Sequence, residues 1–263
     1  MELANKKVLI TGGSAGIGKA IIEELLTHGV EEIAVMGRTG EKLDALEEQF
    51  SSVTFLKIQG DVSQLDDVKN AAKMVKEEWG ALDILINNAG VVSAGFLEEI
   101  SDDDVISQVN INVTGLILLT KHLLPLLKES SEGALINVSS GLGYIAMPFY
   151  SVYAATKAAV KHFSEAMRRE LYKYPIHVMT VYPTATDTEM MKTANVDGKM
   201  DSPTQVAKAS IKGLVNKEIE VILGGQQRKD QIEENFQNPL DVDEKVEGQF
   251  KSLLKRTEQH RSM

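Results

Sequence analysis

The chain has 263 residues, of which 43% are apolar and 25% charged, ordinary values for a globular protein large enough to bury a sizeable core. Its 28 Lys+Arg against 38 Asp+Glu leave a formal net charge of -10, which lacks the basic footprint that nucleic-acid binding needs. It contains no cysteine, which excludes disulfides, thiol catalysis and Cys-based zinc sites.

The N-terminal MELANKKVLI runs into a strand without the apolar region and cleavage site of a signal peptide. Lys7–Thr11 is a short apolar run before a glycine cluster, the pattern of a strand buried on both faces. Helical spacing follows over Ser14–His28. The chain then alternates strand Glu32–Met36, helix Gly40–Phe50 and strand Val53–Ile58. Ser63 and Asp66 form an S-x-x-D capping pattern ahead of Val68, Ala71, Ala72, Val75 and Trp79 at helical spacing. Strand Asp83–Asn87 is followed by a long helix from Ser101 to about Leu127. Its most apolar part, Leu116–Leu127, is interrupted by Lys121, His122 and Pro125 and is too short to span a bilayer. Strand Ala134–Ser139, helix Tyr150–Tyr172, strand Ile176–Tyr182, helix Ser202–Asn216 and strand Ile219–Leu223 complete the alternation.

Strands separated by helices predict βαβ units and a parallel sheet covered on both faces. The expected architecture is α/β, a single-domain Rossmann-type doubly wound sheet of about seven strands over residues 1–225. Residues 226–263 form a C-terminal extension. Within it Val242, Val246, Phe250, Leu253 and Leu254 make one apolar stripe over Asp241–Arg256, which predicts a single amphipathic helix. The expected setting is cytoplasmic, with no integral membrane segment and no nucleic-acid partner. None of the five histidines stands at metal-ligand spacing, so no metal is expected.

Thr11–Gly18 (TGGSAGIG) lies where the first strand becomes the first helix. A tight turn and a close approach to a pyrophosphate at the helix N-terminus both call for glycine there. Candidate nucleotide contacts are Gly12, Ser14, Gly16, Ile17 and Gly18. The second strand ends Met36-Gly37-Arg38-Thr39. It ends without a carboxylate to repel a 2′-phosphate, Arg38 can pair with one, and Thr39 adds a hydroxyl. NADP(H) is therefore expected in preference to NAD(H), which stays possible.

Tyr153 and Lys157 are four residues apart on one predicted helix, hence on one face. A phenol titrates near 10, too high for efficient proton transfer at neutral pH, and a nearby ammonium lowers that value. Ser139 and Ser140 follow the fifth predicted strand, at the sheet edge where ligands of open α/β folds bind.

These segments together resemble the classical short-chain dehydrogenase/reductase (SDR) family over roughly residues 5–225. The matching segments are Thr11–Gly18, Asn87-Asn88-Ala89-Gly90, Asn112 in the long helix, Ser140 thirteen residues before Tyr153, and Tyr153-x-x-x-Lys157. The resemblance implies hydride transfer between a nicotinamide and a carbonyl or hydroxyl. It implies Tyr153 as proton donor or acceptor, Ser140 as the substrate-oxygen ligand, Lys157 on the nicotinamide ribose and Asn112 in a proton relay. It also implies nucleotide contacts from Asp61, Val62, Asn88, Ala89, Gly90, Pro183 and Thr188, and a homodimer or homotetramer. The alternative is a nucleotide sensor or scaffold on the same fold without turnover.

Two features depart from the family pattern. Thr184 stands where a glycine usually follows Pro183, and the chain runs on well past its last predicted strand. The segment between Thr186 and Ser202 lies where the family places its substrate-covering loop. Leu142, Tyr182, Met190 and Met191 form the expected substrate pocket, joined by Met147, Phe149 and Met200. Their apolar character suggests a hydrophobic ketone, aldehyde or acyl substrate.

Overall fold

The computed structural model of the chain describes residues 1–50, 53–196 and 198–263. Seven strands form one parallel sheet: β1 (Lys7–Thr11), β2 (Glu32–Gly37), β3 (Thr54–Gln59), β4 (Ile84–Asn87), β6 (Gly133–Val138), β7 (Ile176–Tyr182) and β8 (Glu220–Ile222). Their order is 3-2-1-4-6-7-8. The chain reverses its direction of winding between β1 and β4, which leaves a crevice at their carboxyl ends.

The strands are apolar on both sides because both faces are covered. Along β1, Val8 and Ile10 join one core while Leu9 joins the other, as the period of two requires. The first core is closed by α1 (Gly16–Thr27), α2 (Gly40–Gln49) and α7 (Pro203–Val215), through Ile21, Leu25, Leu43 and Ile211. The second is closed by α3 (Leu65–Trp79), α5 (Leu116–Leu127) and α6 (Ser151–Glu170), through Val68, Leu119, Leu123 and Met167. The Ser202 side chain and Gln205 form a full capping box at the start of α7, with Pro203 in the first turn.

Three local expectations give way. The Ser63–Asp66 cap does not form. Asp61 Oδ1 instead accepts both the Ser63 amide and hydroxyl at 2.8 Å, and α3 starts after Gln64 with no side-chain cap. The long helix runs from α4 (Asp102–Val109) through a π-helical segment, Asn110–Gly115, into α5. Together these 26 residues are long and apolar enough to cross a membrane, but Leu119, Leu123 and Leu127 are wholly buried against the sheet. The helix is a core element. A π segment displaces the side chains beyond it by a fraction of a turn, and it falls on Asn112.

The third difference is the tail. The single helix expected over Asp241–Arg256 is two, α9 (Pro239–Glu247) and α10 (Phe250–Thr257), and a further helix, α8 (Gly225–Gln237), precedes them. Pro239 has no N–H to continue α8 and disfavours helical backbone at Asn238, while Gly248 follows α9. The chain ends in β9 (Arg261–Ser262), antiparallel to β5 (Val92–Ser93). Arg261 closes a two-pronged ion pair on the buried Asp104, at 2.8 and 2.9 Å. The extension thereby folds back over the carboxyl edge of the sheet.

Candidate active site

The crevice at the carboxyl ends of β1, β4, β6 and β7 opens into a cavity of about 590 Å³. Its floor is the turn between β1 and α1. Gly16 there has φ +53°, a conformation that side-chain-bearing residues rarely adopt. A Cβ on Gly18 would fall 2.3 Å from the Gly12 carbonyl oxygen, so only glycine permits that packing. Asn88 Nδ2 donates to the Thr11 and Gly12 carbonyls at 2.9 and 3.1 Å, and the Thr11 hydroxyl accepts from the Asn88 and Ala89 amides. The Asn-Asn-Ala-Gly turn thus braces the glycine turn from the side. Ala15 at the helix cap supplies no side-chain acceptor, which leaves the first amides of α1 free for an anion.

Tyr153 and Lys157 lie in the first two turns of α6, with the Lys157 ammonium 5.6 Å from the Tyr153 ring centre. Lys157 is 4% exposed. Its ammonium donates to the Val138 carbonyl at 3.1 Å, and burial alone lowers its pKa to about 8. Burial pushes the Tyr153 phenol up to about 12, a hydrogen bond from Ser140 works against that rise, and Tyr150 adds to it. Ser140 caps the short turn Gly141–Gly143 by accepting the Leu142 amide at 3.2 Å. Ser139 points away and donates to the Lys157 carbonyl at 2.8 Å. Phenol, ammonium and Ser140 hydroxyl therefore converge on one cavity.

Asn112 sits behind the cavity. Its Oδ1 accepts the Val91 amide at 2.8 Å, and its Nδ2 donates to the Val91 carbonyl and to Thr156 Oγ1. Thr156 in turn donates to the Tyr153 carbonyl at 2.7 Å. With that side chain committed, it fixes the backbone around Gly90 and Tyr153.

Of the remaining expected contacts, Gly12, Gly16, Ile17, Asn88, Ala89, Gly90, Pro183 and Thr188 line the cavity, with Leu142, Met147, Met190 and Met191. Arg38, Thr39, Asp61 and Val62 lie outside it, at the ends of the neighbouring strands β2 and β3. Arg38 is exposed and forms no ion pair among the described residues. Tyr182 does not belong to the pocket. Its side chain packs on Tyr144 with ring centres 4.6 Å apart and donates to Glu220. Phe149, with φ +69°, packs edge-on against Phe96 and Phe250 and braces the wall without lining it.

Thr184 keeps an ordinary negative φ, and its hydroxyl donates to Asp201, so loss of the usual glycine causes no backbone strain. Within the segment after it, residue 197 lies outside the described residues. The sequence reading missed the tail. Gln227, Arg228, Gln231, Leu253, Arg256, His260 and Ser262 all line the cavity. His260 is buried between the Tyr150 hydroxyl at 2.8 Å and the Met190 carbonyl at 3.0 Å. Nothing in local spacing ties residue 260 to residue 150.

A doubly wound sheet with a glycine turn at its point of reversal and a Ser–Tyr–Lys group beside it defines a nucleotide-type α/β protein. The family model described as short chain dehydrogenase matches residues 6–199. An uncharacterized oxidoreductase of Staphylococcus aureus (strain MRSA252) is 31% identical over 81% of this chain and 92% of its own. An uncharacterized short-chain type dehydrogenase/reductase of Sinorhizobium fredii is 36% identical over 71% of this chain and 72% of its own. Among solved structures, a short-chain dehydrogenase from Sphingobium yanoikuyae in complex with NADPH superposes with TM-score 0.78 at 29% identity, covering 90% of this chain and 95% of that one. The chain belongs to the short-chain dehydrogenase family and is an oxidoreductase of that class.

Proposed function

We propose that the protein is an NADP(H)-dependent reductase or dehydrogenase acting on a carbonyl or hydroxyl group. The observation that carries this reading is the convergence of Ser140, Tyr153 and Lys157 on the cavity whose floor is the glycine turn. The residues present fit a dinucleotide. Gly12, Gly16, Ile17 and Thr188 offer a cradle open to a pyrophosphate, beside the free amides of α1. Asn88, Ala89 and Gly90 sit beside it for the adenosine ribose, Asp61 and Val62 for the adenine, and Pro183 for the nicotinamide. Arg38, with Thr39, stands at the end of β2 without an ion pair among the described residues and supports NADP(H) over NAD(H).

A bound nicotinamide supplies or accepts the hydride. The chain supplies the rest. Ser140 donates a hydrogen bond to the substrate oxygen as charge develops on it. Tyr153 donates its proton to that oxygen in reduction and takes it back in oxidation. Lys157 stabilises the phenolate through its charge, and Asn112 holds the backbone that carries these groups. Leu142, Met147, Met190 and Met191 give the substrate side apolar walls, consistent with a hydrophobic ketone or aldehyde. A cytoplasmic homodimer or homotetramer is the proposed state.

The test is NADPH oxidation followed at 25 °C against a panel of ketones, aldehydes and quinones. Tyr153→Phe is expected to lower kcat by about 10²–10⁴-fold with NADPH affinity kept. Turnover equal to wild type in that variant removes Tyr153 from the chemistry. NADPH binding without turnover of any carbonyl supports the sensor reading instead.

A further inference from the structure

The cavity contains two arginines that the proposed chemistry does not use. Arg228, from α8, donates from Nη2 to the Gly141 carbonyl at 3.0 Å and from Nη1 to Gln231 Oε1 at 3.2 Å. Its guanidinium therefore lies against the residue after Ser140. Its Nε is buried with no hydrogen-bond partner, and desolvation lowers its pKa. Arg256, from α10, stands 5.8 Å from the Tyr150 ring centre, and its Nε is likewise buried with no hydrogen-bond partner among the described residues.

Neither arginine pairs with a carboxylate among the described residues. The single acidic side chain among the cavity's described lining, Glu189, is paired with Lys192. Lys157 adds a third cation to the same space. In a chain of net charge -10, this is a local concentration of positive charge. A cavity lined by guanidinium groups with no carboxylate of their own favours an anionic ligand that supplies the countercharge.

We infer that the substrate is an oxo or hydroxy acid whose carboxylate is held by Arg228 and Arg256 while its carbonyl faces Ser140 and Tyr153. This rests on, and sharpens, the reductase reading. Both guanidinium groups line one cavity without a carboxylate partner among the described residues, and the guanidinium fork suits a planar carboxylate better than an ammonium would. The methionine walls take the carbon skeleton between the two ends. Both arginines belong to the C-terminal extension, so the tail sets which substrate the common core reduces.

Matched probes test the inference. 3-Formylbenzoate and 4-formylbenzoate are compared with their methyl esters as substrates for NADPH-dependent reduction by the full chain. The expected result is a kcat/KM for at least one acid tenfold or more above its ester. That ratio falls at least tenfold in Arg228→Gln and Arg256→Gln, and stays at the wild-type value in Lys229→Gln, which removes an exposed cation of the same helix. Esters equal to the acids in the wild type, or a preference that persists in the double variant, overturn it. Calorimetric titration of terephthalate into the NADPH-loaded protein decides the case where neither probe turns over: binding lost in the arginine variants supports it, and no binding overturns it. If NADPH itself fails to bind, the reductase reading falls, and the same titration of the nucleotide-free protein judges the arginines.

Discussion

At the scale of single residues, the site combines groups that weaken the fold when nothing is bound. Lys157 is buried with one hydrogen bond and no counter-ion among the described residues. Its pKa falls from 10.5 to about 8, so at pH 7 it is charged in both states and the folded state carries the full penalty. Between pH 8 and 10.5 the unfolded chain binds more protons than the folded one, so stability from this group rises with pH. Lys157→Met is therefore expected to stabilise the nucleotide-free protein by about 1–3 kcal/mol at pH 7 while removing turnover. The gain narrows by pH 9.5, as read from urea midpoints at both pH values. A variant less stable than wild type at pH 7 would show that the lysine is held favourably without the nucleotide. Arg38 acts at the other end of the crevice. Its exposure makes it structurally silent, so Arg38→Ala should leave thermal stability unchanged. The same variant should weaken NADPH by about 10–100-fold, the loss of one charge-assisted contact of ~1.5–3 kcal/mol, with NADH little altered. Equal weakening of both nucleotides in a fluorescence titration would remove the 2′-phosphate role.

At the scale of elements, the π segment and the C-terminal strand do work that periodicity alone does not reveal. Asn110–Gly115 places Asn112 where it clamps Val91 and, through Thr156, the backbone of Tyr153. The β5–β9 ribbon is held by Arg261 on Asp104, whose carboxyl is kept below its usual range first by Arg261 and then by Ser93. A depressed carboxylate stabilises the fold above its unfolded pKa and loses that contribution as pH falls through the folded value. Arg261→Ala should therefore cost about 1–3 kcal/mol at pH 7. The gap should close toward pH 3, measured by denaturant titration at the two pH values. A gap independent of pH would assign the loss to the β ribbon instead of the ion pair.

At the scale of the whole molecule, the family core builds the nucleotide crevice and the extension closes it. The match to the family spans residues 6–199, whereas α10 and β9 bring Leu253, Arg256 and His260 into the cavity wall. Deleting residues 250–263 is expected to leave NADPH binding within about threefold of wild type. It should raise the KM for carbonyl substrates by tenfold or more, because Tyr150 and Met190 lose their His260 partner. Loss of nucleotide binding in that variant would place the extension in the structural core.

The alternation of strands and helices and the glycine turn were legible because their signals are local. Buried strands are apolar runs, a tight turn demands glycine, and Tyr153 and Lys157 share a face through the pitch of one helix. The same locality explains the failures. Tyr182 was assigned to the pocket by its neighbourhood in sequence, but its ring is taken up by Tyr144 and its hydroxyl by Glu220. The Ser63–Asp66 pattern was outcompeted by Asp61, two residues from Ser63. The sequence by itself thus determined the layers of the fold and the residue types that carry the chemistry. Only tertiary structure decided that Arg228, Arg256 and His260 meet residues some 70 to 110 positions away. Contacts at that separation arise from how whole elements pack, which no short-range spacing encodes.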